Sequence, residues 1–98
     1  MGHHHHKPTY PLCGACHWVG GEIFQVVSHD ACAAVVPEVT GECAAAVAAA
    51  LAPELAPFCA LLPWAGEVGC QEAERAGRAD HWEHYVTGQI CSRMDMCK

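Results

Sequence analysis

Positive charge is scarce in this chain. It has 5 Lys and Arg against 11 Asp and Glu, which gives a formal net charge of −6 when the histidines are neutral. The basic residues do not cluster, whereas a nucleic-acid-binding surface needs clustered cations to neutralise phosphates. Nucleic acid is therefore not an expected partner, and strong electrostatic binding to anionic membranes at neutral pH is not expected either.

Strand-like alternation of apolar and polar residues is also missing. The longest weakly charged stretch runs from Cys43 to Ala65 and carries only Glu54. It contains three prolines and many alanines, which are barely hydrophobic enough to insert into a bilayer. We interpret this stretch as buried helices and not as a membrane span.

The chain is short enough for only one domain. Residues 1–7, with four consecutive histidines, are interpreted as a disordered expression tag, and residues 8–98 as the domain. A domain of this size buries only about 60% of its unfolded surface, so cross-links commonly supplement its core.

Cysteine is the abundant residue. Eight cysteines in 98 residues, an even number, indicate a disulfide framework formed in an oxidising compartment, either outside the cell or in a lysosomal or vacuolar lumen. Sequence alone does not choose among the possible pairings.

Helical periodicity recurs along the chain. One apolar face begins near Cys13, an alanine-rich helix begins at Cys43, and a last helix runs into Cys91. Proline should interrupt the intervening segments at Pro37 and at Pro53. The sequence therefore predicts an all-α, disulfide-stapled bundle of four to six short helices.

The cysteine spacing resembles that of the saposin-like proteins. The matching elements are a C-x2-C at Cys13, a C-x10-C with Leu-Pro inside at Cys59, and a C-x5-C at Cys91. The resemblance implies three disulfides and leaves two cysteines to pair with each other. These pairs are Cys13 with Cys97, Cys16 with Cys91, Cys59 with Cys70, and the remaining Cys32 with Cys43.

One departure from that family concerns length. Between Cys16 and Cys59 lie 42 residues, more than the family usually has. Either the hairpin closed by Cys32 and Cys43 is the addition, or that pair is the family's central bridge and the one between Cys59 and Cys70 is added. The Leu62-Pro63 match favours the first choice.

The resemblance implies lipid binding by helices that open to expose apolar surface. The expected function is a lipid-binding, membrane-interacting protein that solubilises or perturbs membrane lipids, with a lipid hydrolase and a second copy as possible partners. No enzymatic activity, cofactor or metal site is expected. The expected lipid-contacting residues are Val19, Ile23, Phe24, Val27, Val47, Leu51, Leu55, Phe58, Leu61, Leu62, Trp64, Trp82, Tyr85 and Val86.

Acid should favour binding. Between pH 7 and about 4.5, carboxylates lose part of their charge and histidines, which titrate near about 6.5, become cationic. We expect this response from His17, His29, His81 and His84. Weaker repulsion from anionic lipid then predicts stronger vesicle binding at acidic pH.

Two alternatives to lipid binding stay open. The first is a structural or protein-interaction module without lipid. The second is a c-type haem protein, because the segment from Cys13 to His17 is a C-x-x-C-H, with Met94 or Met96 as a second axial ligand. A His-Asp-x-Cys at His29, which resembles secreted phospholipases A2, lacks that family's adjacent cysteine pair and calcium loop.

Overall fold

The computed structural model describes residues 10–24 and 31–98. Within these ranges the secondary structure is helical, with turns and no strand, which confirms the all-α prediction. The predicted tag, Val27 and His29 lie outside the described residues. The α-helices are α1 Cys13–Phe24, α2 Cys32–Val39, α3 Cys43–Ala49, α4 Ala56–Ala60, α5 Leu62–Trp64, α6 Cys70–Arg75 and α7 Trp82–Arg93.

Several of these helices continue into one another. A 3-10 turn at Thr40–Glu42 joins α2 to α3, so that Cys32–Ala49 is one helical rod, here called the first arm. The second arm, 53–75, begins with a 3-10 turn at Pro53–Leu55 and includes a π-helical turn at Ala65–Gly69. The two arms form a helical hairpin that reverses at 50–52.

The prediction that Pro37 interrupts a helix is wrong. Pro37 lies inside α2 and lacks the N–H that would bond to the carbonyl of Ala33. Ala33 is exposed, so water can satisfy that carbonyl. One turn later the Thr40 hydroxyl donates to the Val36 carbonyl oxygen at 3.1 Å, and the helix tightens into its 3-10 turn. The proline at the tip, by contrast, starts the second arm, where its fixed φ suits a first turn.

The first and last helices pack against each other as a pair, here called the stem. Helices α1 and α7 make the most extensive helix contact among the described residues. The two helices approach closely at Gly20, where an added Cβ would overlap the side chain of Thr87. Glycine at this position, which weakens the helix locally, is therefore what lets the two backbones come together.

The hydrophobic core lies between the stem and the hairpin. Phe24 of α1 and Trp82 of α7 meet edge to face with their ring centroids 5.1 Å apart. Burial of each large apolar side chain contributes about 1.5–3 kcal/mol before the opposing chain entropy is counted. The largest fully buried side chains are Phe24, Phe58, Ile23, Leu55, Leu62, Ile90, Val19, Val35, Val36 and Val86.

The two predicted bridges between the chain ends are confirmed. Cys13 bonds to Cys97, which follows α7, and Cys16 bonds to Cys91 within α7, so both bridges hold the C-terminal end of the chain to α1. They cross-link residues 84 and 75 positions apart. Long loops of this kind restrict the unfolded chain most strongly in the chain-entropy model.

The two predicted central pairs are wrong. Cys32 bonds to Cys70 and Cys43 bonds to Cys59, each with a Cα–Cα distance of 5.6 Å. The predicted partners lie eleven positions apart along one helical arm, which places them about 16 Å apart at 1.5 Å per residue. A disulfide spans at most about 7 Å between Cα atoms, so each cysteine bonds across to the other arm.

Candidate functional site

The hairpin tip, residues 44–53, forms an apolar groove with α4. Its volume is about 620 Å³. None of its described lining residues is charged, and the only one with a polar function in its side chain is a disulfide-bonded cysteine. The lining residues are Ala44, Val47, Ala48, Leu51, Ala52, Pro53, Ala56 and Cys59.

Leu51 is the most prominent residue of the tip. Its side chain is 88% exposed, and its backbone has a φ of 55°. Its N–H donates to the carbonyl of Ala48 at 3.1 Å, directly after the end of α3. Glycine is the usual residue at such a left-handed helix end, because other L residues lose about 1–2 kcal/mol there. The tip thus holds a strained residue whose apolar side chain points into solvent.

The tip has no charged side chains. Between Cys43 and Pro53 the sequence has no charged side chain, and the nearest carboxylates on either side are those of the exposed Glu42 and Glu54. Exposed positions along α3 are instead occupied by Ala44, Ala45, Ala48 and Ala49. The tip therefore presents apolar surface bordered by negative charge.

The different lengths of the stem and the hairpin explain why the tip is uncovered. Helix α7 of the stem has 12 residues and the first arm has 18, which correspond to about 18 Å and about 27 Å. A stem of this length cannot cover the whole arm. The interpretation of Cys43–Ala65 as buried helices is correct for one face of α3, with Val47 buried, and wrong for its alanine face.

Most of the expected lipid-contacting residues are in the core of this closed structure. Nine of them are buried, namely Val19, Ile23, Phe24, Val47, Leu55, Phe58, Leu62, Trp82 and Val86. Of the other expected residues that the structure describes, Leu61, Trp64 and Tyr85 are half-buried and Leu51 is exposed. The Trp64 ring is further covered by the guanidinium of Arg93, 4.3 Å from the ring centroid. Periodicity identifies an apolar face, but not what that face contacts.

Sequence reasoning missed the alanines and the proline of the groove. Ala44, Ala48, Ala52, Pro53 and Ala56 line it beside the predicted Val47 and Leu51. The available signal was the uncharged run after Cys43, combined with two C-x10-C segments placed symmetrically about position 51. That symmetry favours a helical hairpin whose tip is the uncharged run.

The histidines expected to respond to pH lie on the stem and the turn before α7. His17, His81 and His84 are exposed. His17 and His84 line a second pocket of about 350 Å³ between α1 and α7, which shares no residue with the tip groove. Glu83 also lines it, and its Oε2 is buried and accepts no hydrogen bond from the part of the chain that the structure describes.

The structure disfavours the haem alternative. Thioether attachment to a C-x-x-C-H requires two free thiols, whereas the sulfurs of Cys13 and Cys16 are both in disulfides. All eight cysteines lie within the described residues, and none is free.

One described helix, Cys32–Ala49, is long and apolar enough to cross a membrane by length and composition. Within this structure 39% of it is buried, and its two cysteines bond to the second arm. It is thus one half of a packed hairpin.

Comparison with protein-family models, with curated proteins and with solved structures finds no match to this chain.

Proposed function

We propose that this protein is a membrane-lipid-binding domain that places the hairpin tip into the surface of a bilayer. The observation that carries the proposal is the position of Leu51, which is 88% exposed at the centre of an uncharged tip. A domain gains almost no folding energy from a large apolar side chain that stays exposed, and it loses stability by holding that residue in a left-handed conformation. Insertion of the Leu51 side chain into a bilayer surface would explain why it is held exposed at the tip.

The energetics favour shallow, reversible binding. Transfer of one Leu side chain out of water contributes about 2 kcal/mol, a factor of about 30 in the binding constant. The exposed alanines around it add apolar area without adding charge. The tip is therefore suited to the interfacial region of a bilayer and is not a permanent anchor.

The disulfide between Cys43 and Cys59 stabilises the conformation of the tip. Cys59 lines the groove, and its partner begins α3. The bridge holds the two arms together directly below the tip, so the apolar groove persists without the support of the stem. Four disulfides also fit an oxidising compartment, and we place the protein outside the cell or in a lysosomal or vacuolar lumen.

A second stage of binding would use the buried residues. Two disulfides join α1 to α7 or to the chain just after it, two lie within the hairpin, and none joins the stem to the hairpin. Separation of the stem from the hairpin therefore breaks no covalent bond. It would expose the predicted lipid-contacting faces, as the resemblance to saposin-like proteins implies, and would extend the contact that the tip begins.

Negative charge around the tip supports binding that is favoured at acidic pH. Glu42 and Glu54 are exposed on either side of the tip and repel an anionic surface. Protonation of carboxylates and of the exposed histidines changes the net charge from negative towards positive. We expect binding to anionic vesicles to be stronger at pH 4.5 than at pH 7.4.

Vesicle flotation tests the proposal. The wild-type chain is mixed with phosphatidylcholine vesicles, with or without an anionic phospholipid, at both pH values. Leu51→Ala should reduce the floated fraction at acidic pH several-fold. Val68→Ala, at an apolar position of the second arm that is 38% exposed and outside the groove, should leave it unchanged.

Three results would contradict the proposal. One is that the wild-type chain fails to float at either pH. Another is that both variants float like the wild type. The third is that Leu51→Ala instead abolishes a dimer seen without lipid by analytical ultracentrifugation, which would assign the tip to self-association.

A further inference from the structure

The disulfide between Cys13 and Cys97, here called the outer bridge, has a histidine beside it. The sulfurs of Cys13 and Cys97 and a ring nitrogen of His17 all lie within 4.8 Å of one another. Cys13 and His17 are four positions apart on α1 and so share one face of the helix. The chain after α7 then brings Cys97 to the same place.

The outer bridge is also the more accessible of the two stem bridges. Cys13 is half-buried and His17 is exposed, whereas Cys16 and Cys91 of the inner bridge are completely buried. A soluble reductant therefore reaches the sulfur of Cys13 more readily. The inner bridge still ties α1 to α7 after the outer one has opened.

We propose that Cys13, His17 and Cys97 form a binding site for Zn²⁺ when the outer bridge is reduced. Two thiolates and one imidazole are a typical zinc ligand set, and a water molecule completes four-coordination. Zinc bonds of about 2.3 Å to sulfur and about 2.0 Å to nitrogen place the three ligand atoms roughly 3.5–4 Å apart. The observed cluster, within 4.8 Å, reaches that arrangement by small side-chain movements.

A soluble dithiol is the reductant that opens the outer bridge. The S–S bond of the bridge accepts two electrons and two protons and becomes two thiols, while the dithiol is oxidised to its cyclic disulfide. Zn²⁺ then replaces the two thiol protons, which pass to solvent, and forms two Zn–S bonds and one Zn–N bond. The two thiolate charges cancel the charge of the ion.

The proposed zinc site is separate from the proposed lipid-binding tip. It uses the end of the stem, and none of its three residues lines the tip groove. Its consequence is that the chain end can be held to α1 in two ways, by a disulfide under oxidising conditions or by a metal ion under reducing ones.

The test uses the full chain with His3, His4, His5 and His6 replaced by Ser, because the tag would itself bind metal. One equivalent of dithiothreitol is added under nitrogen, and alkylation with mass spectrometry identifies the bridge that opens. Co²⁺, a spectroscopic substitute for Zn²⁺, is then titrated in. We expect opening of the bridge between Cys13 and Cys97, one Co²⁺ per chain, and a thiolate-to-cobalt charge-transfer band that Zn²⁺ abolishes.

Two matched variants test the contribution of His17 to metal binding. His17→Ala should open the same bridge but bind Co²⁺ at least about tenfold more weakly, since it removes one of three protein ligands. His84→Ala, an exposed histidine on α7, should bind like the parent chain. The proposal is overturned if another bridge opens first, if reduction unfolds the helices, if no charge-transfer band appears, or if His17→Ala binds Co²⁺ as tightly as His84→Ala.

Discussion

Cys32 and Cys43 lie on one face of a single helical arm, and each bonds across to the second arm. Eleven residues turn an α-helix through about three full turns, so such cysteines point in nearly the same direction. A matching C-x10-C on the second arm supplies both partners. The four bridges are thus nested about the hairpin turn, and each cysteine of the first half bonds to one of the second half.

The nested connectivity is the first prediction. Proteolysis without reduction, followed by mass spectrometry, should yield linked peptides that join Cys32 to Cys70 and Cys43 to Cys59. The helical arms require this result because they hold the alternative partners about 16 Å apart. Peptides that join Cys32 to Cys43 would mean that the first arm is not a continuous helix.

Leu51→Gly separates stability from binding. Glycine removes a left-handed backbone cost of about 1–2 kcal/mol and adds an entropy cost of about 0.5–1 kcal/mol. The free energy of unfolding in urea should therefore not fall, whereas flotation with anionic vesicles at pH 4.5 should fall about tenfold or more because the apolar side chain is gone.

Asp95→Gly is the matched control for that variant. Asp95 follows α7 with a φ of 58°, and its N–H donates to the carbonyl of Ser92, so it occupies the equivalent position of another helix end. It should show a similar change in stability with unchanged flotation. A loss of flotation in Asp95→Gly would attribute the Leu51→Gly effect to backbone conformation and not to the lost side chain.

Gly20 and Gly21 should respond oppositely to alanine. A Cβ at Gly20 would overlap Thr87, whereas a Cβ at Gly21 meets nothing within 4 Å. Gly20→Ala should lower the free energy of unfolding by about 1–3 kcal/mol through overpacking. Gly21→Ala should raise it by up to about 1 kcal/mol through helix propensity. Urea denaturation of both variants measures this, and equal effects would refute the close approach of α1 to α7.

Glu54→Gln tests the negative border of the tip. Removal of this carboxylate charge should strengthen binding to anionic vesicles at pH 7.4 and change binding to neutral phosphatidylcholine vesicles little. Glu74→Gln, at an exposed position of α6 remote in sequence from the tip, removes the same charge as a control. If binding to anionic vesicles at pH 7.4 increases equally in both variants, net charge alone governs binding and the location of Glu54 has no role.

The stem could be predicted well from sequence. Helical periodicity indicated α1, and the resemblance to saposin-like proteins implied the pairs of Cys13 with Cys97 and of Cys16 with Cys91, which the structure confirms. The hairpin could not, because Pro37 was taken as a helix interruption and the resemblance implied a bridge between Cys59 and Cys70, with Cys32 and Cys43 left to pair. Pro37 lies inside α2 and Leu62-Pro63 lies in α5, so each arm is helical between its two cysteines and holds them too far apart to bond.

Composition and local periodicity determined that this chain is helical, cross-linked and apolar, because helix propensity and side-chain pattern act over only a few residues. Tertiary packing decided which apolar side chains face one another and which face solvent. Phe24 and Trp82 meet in the core, whereas Leu51, equally apolar in the sequence, is left at the tip. The reason is geometric, since a stem shorter than the arm it packs against leaves the far end of that arm uncovered.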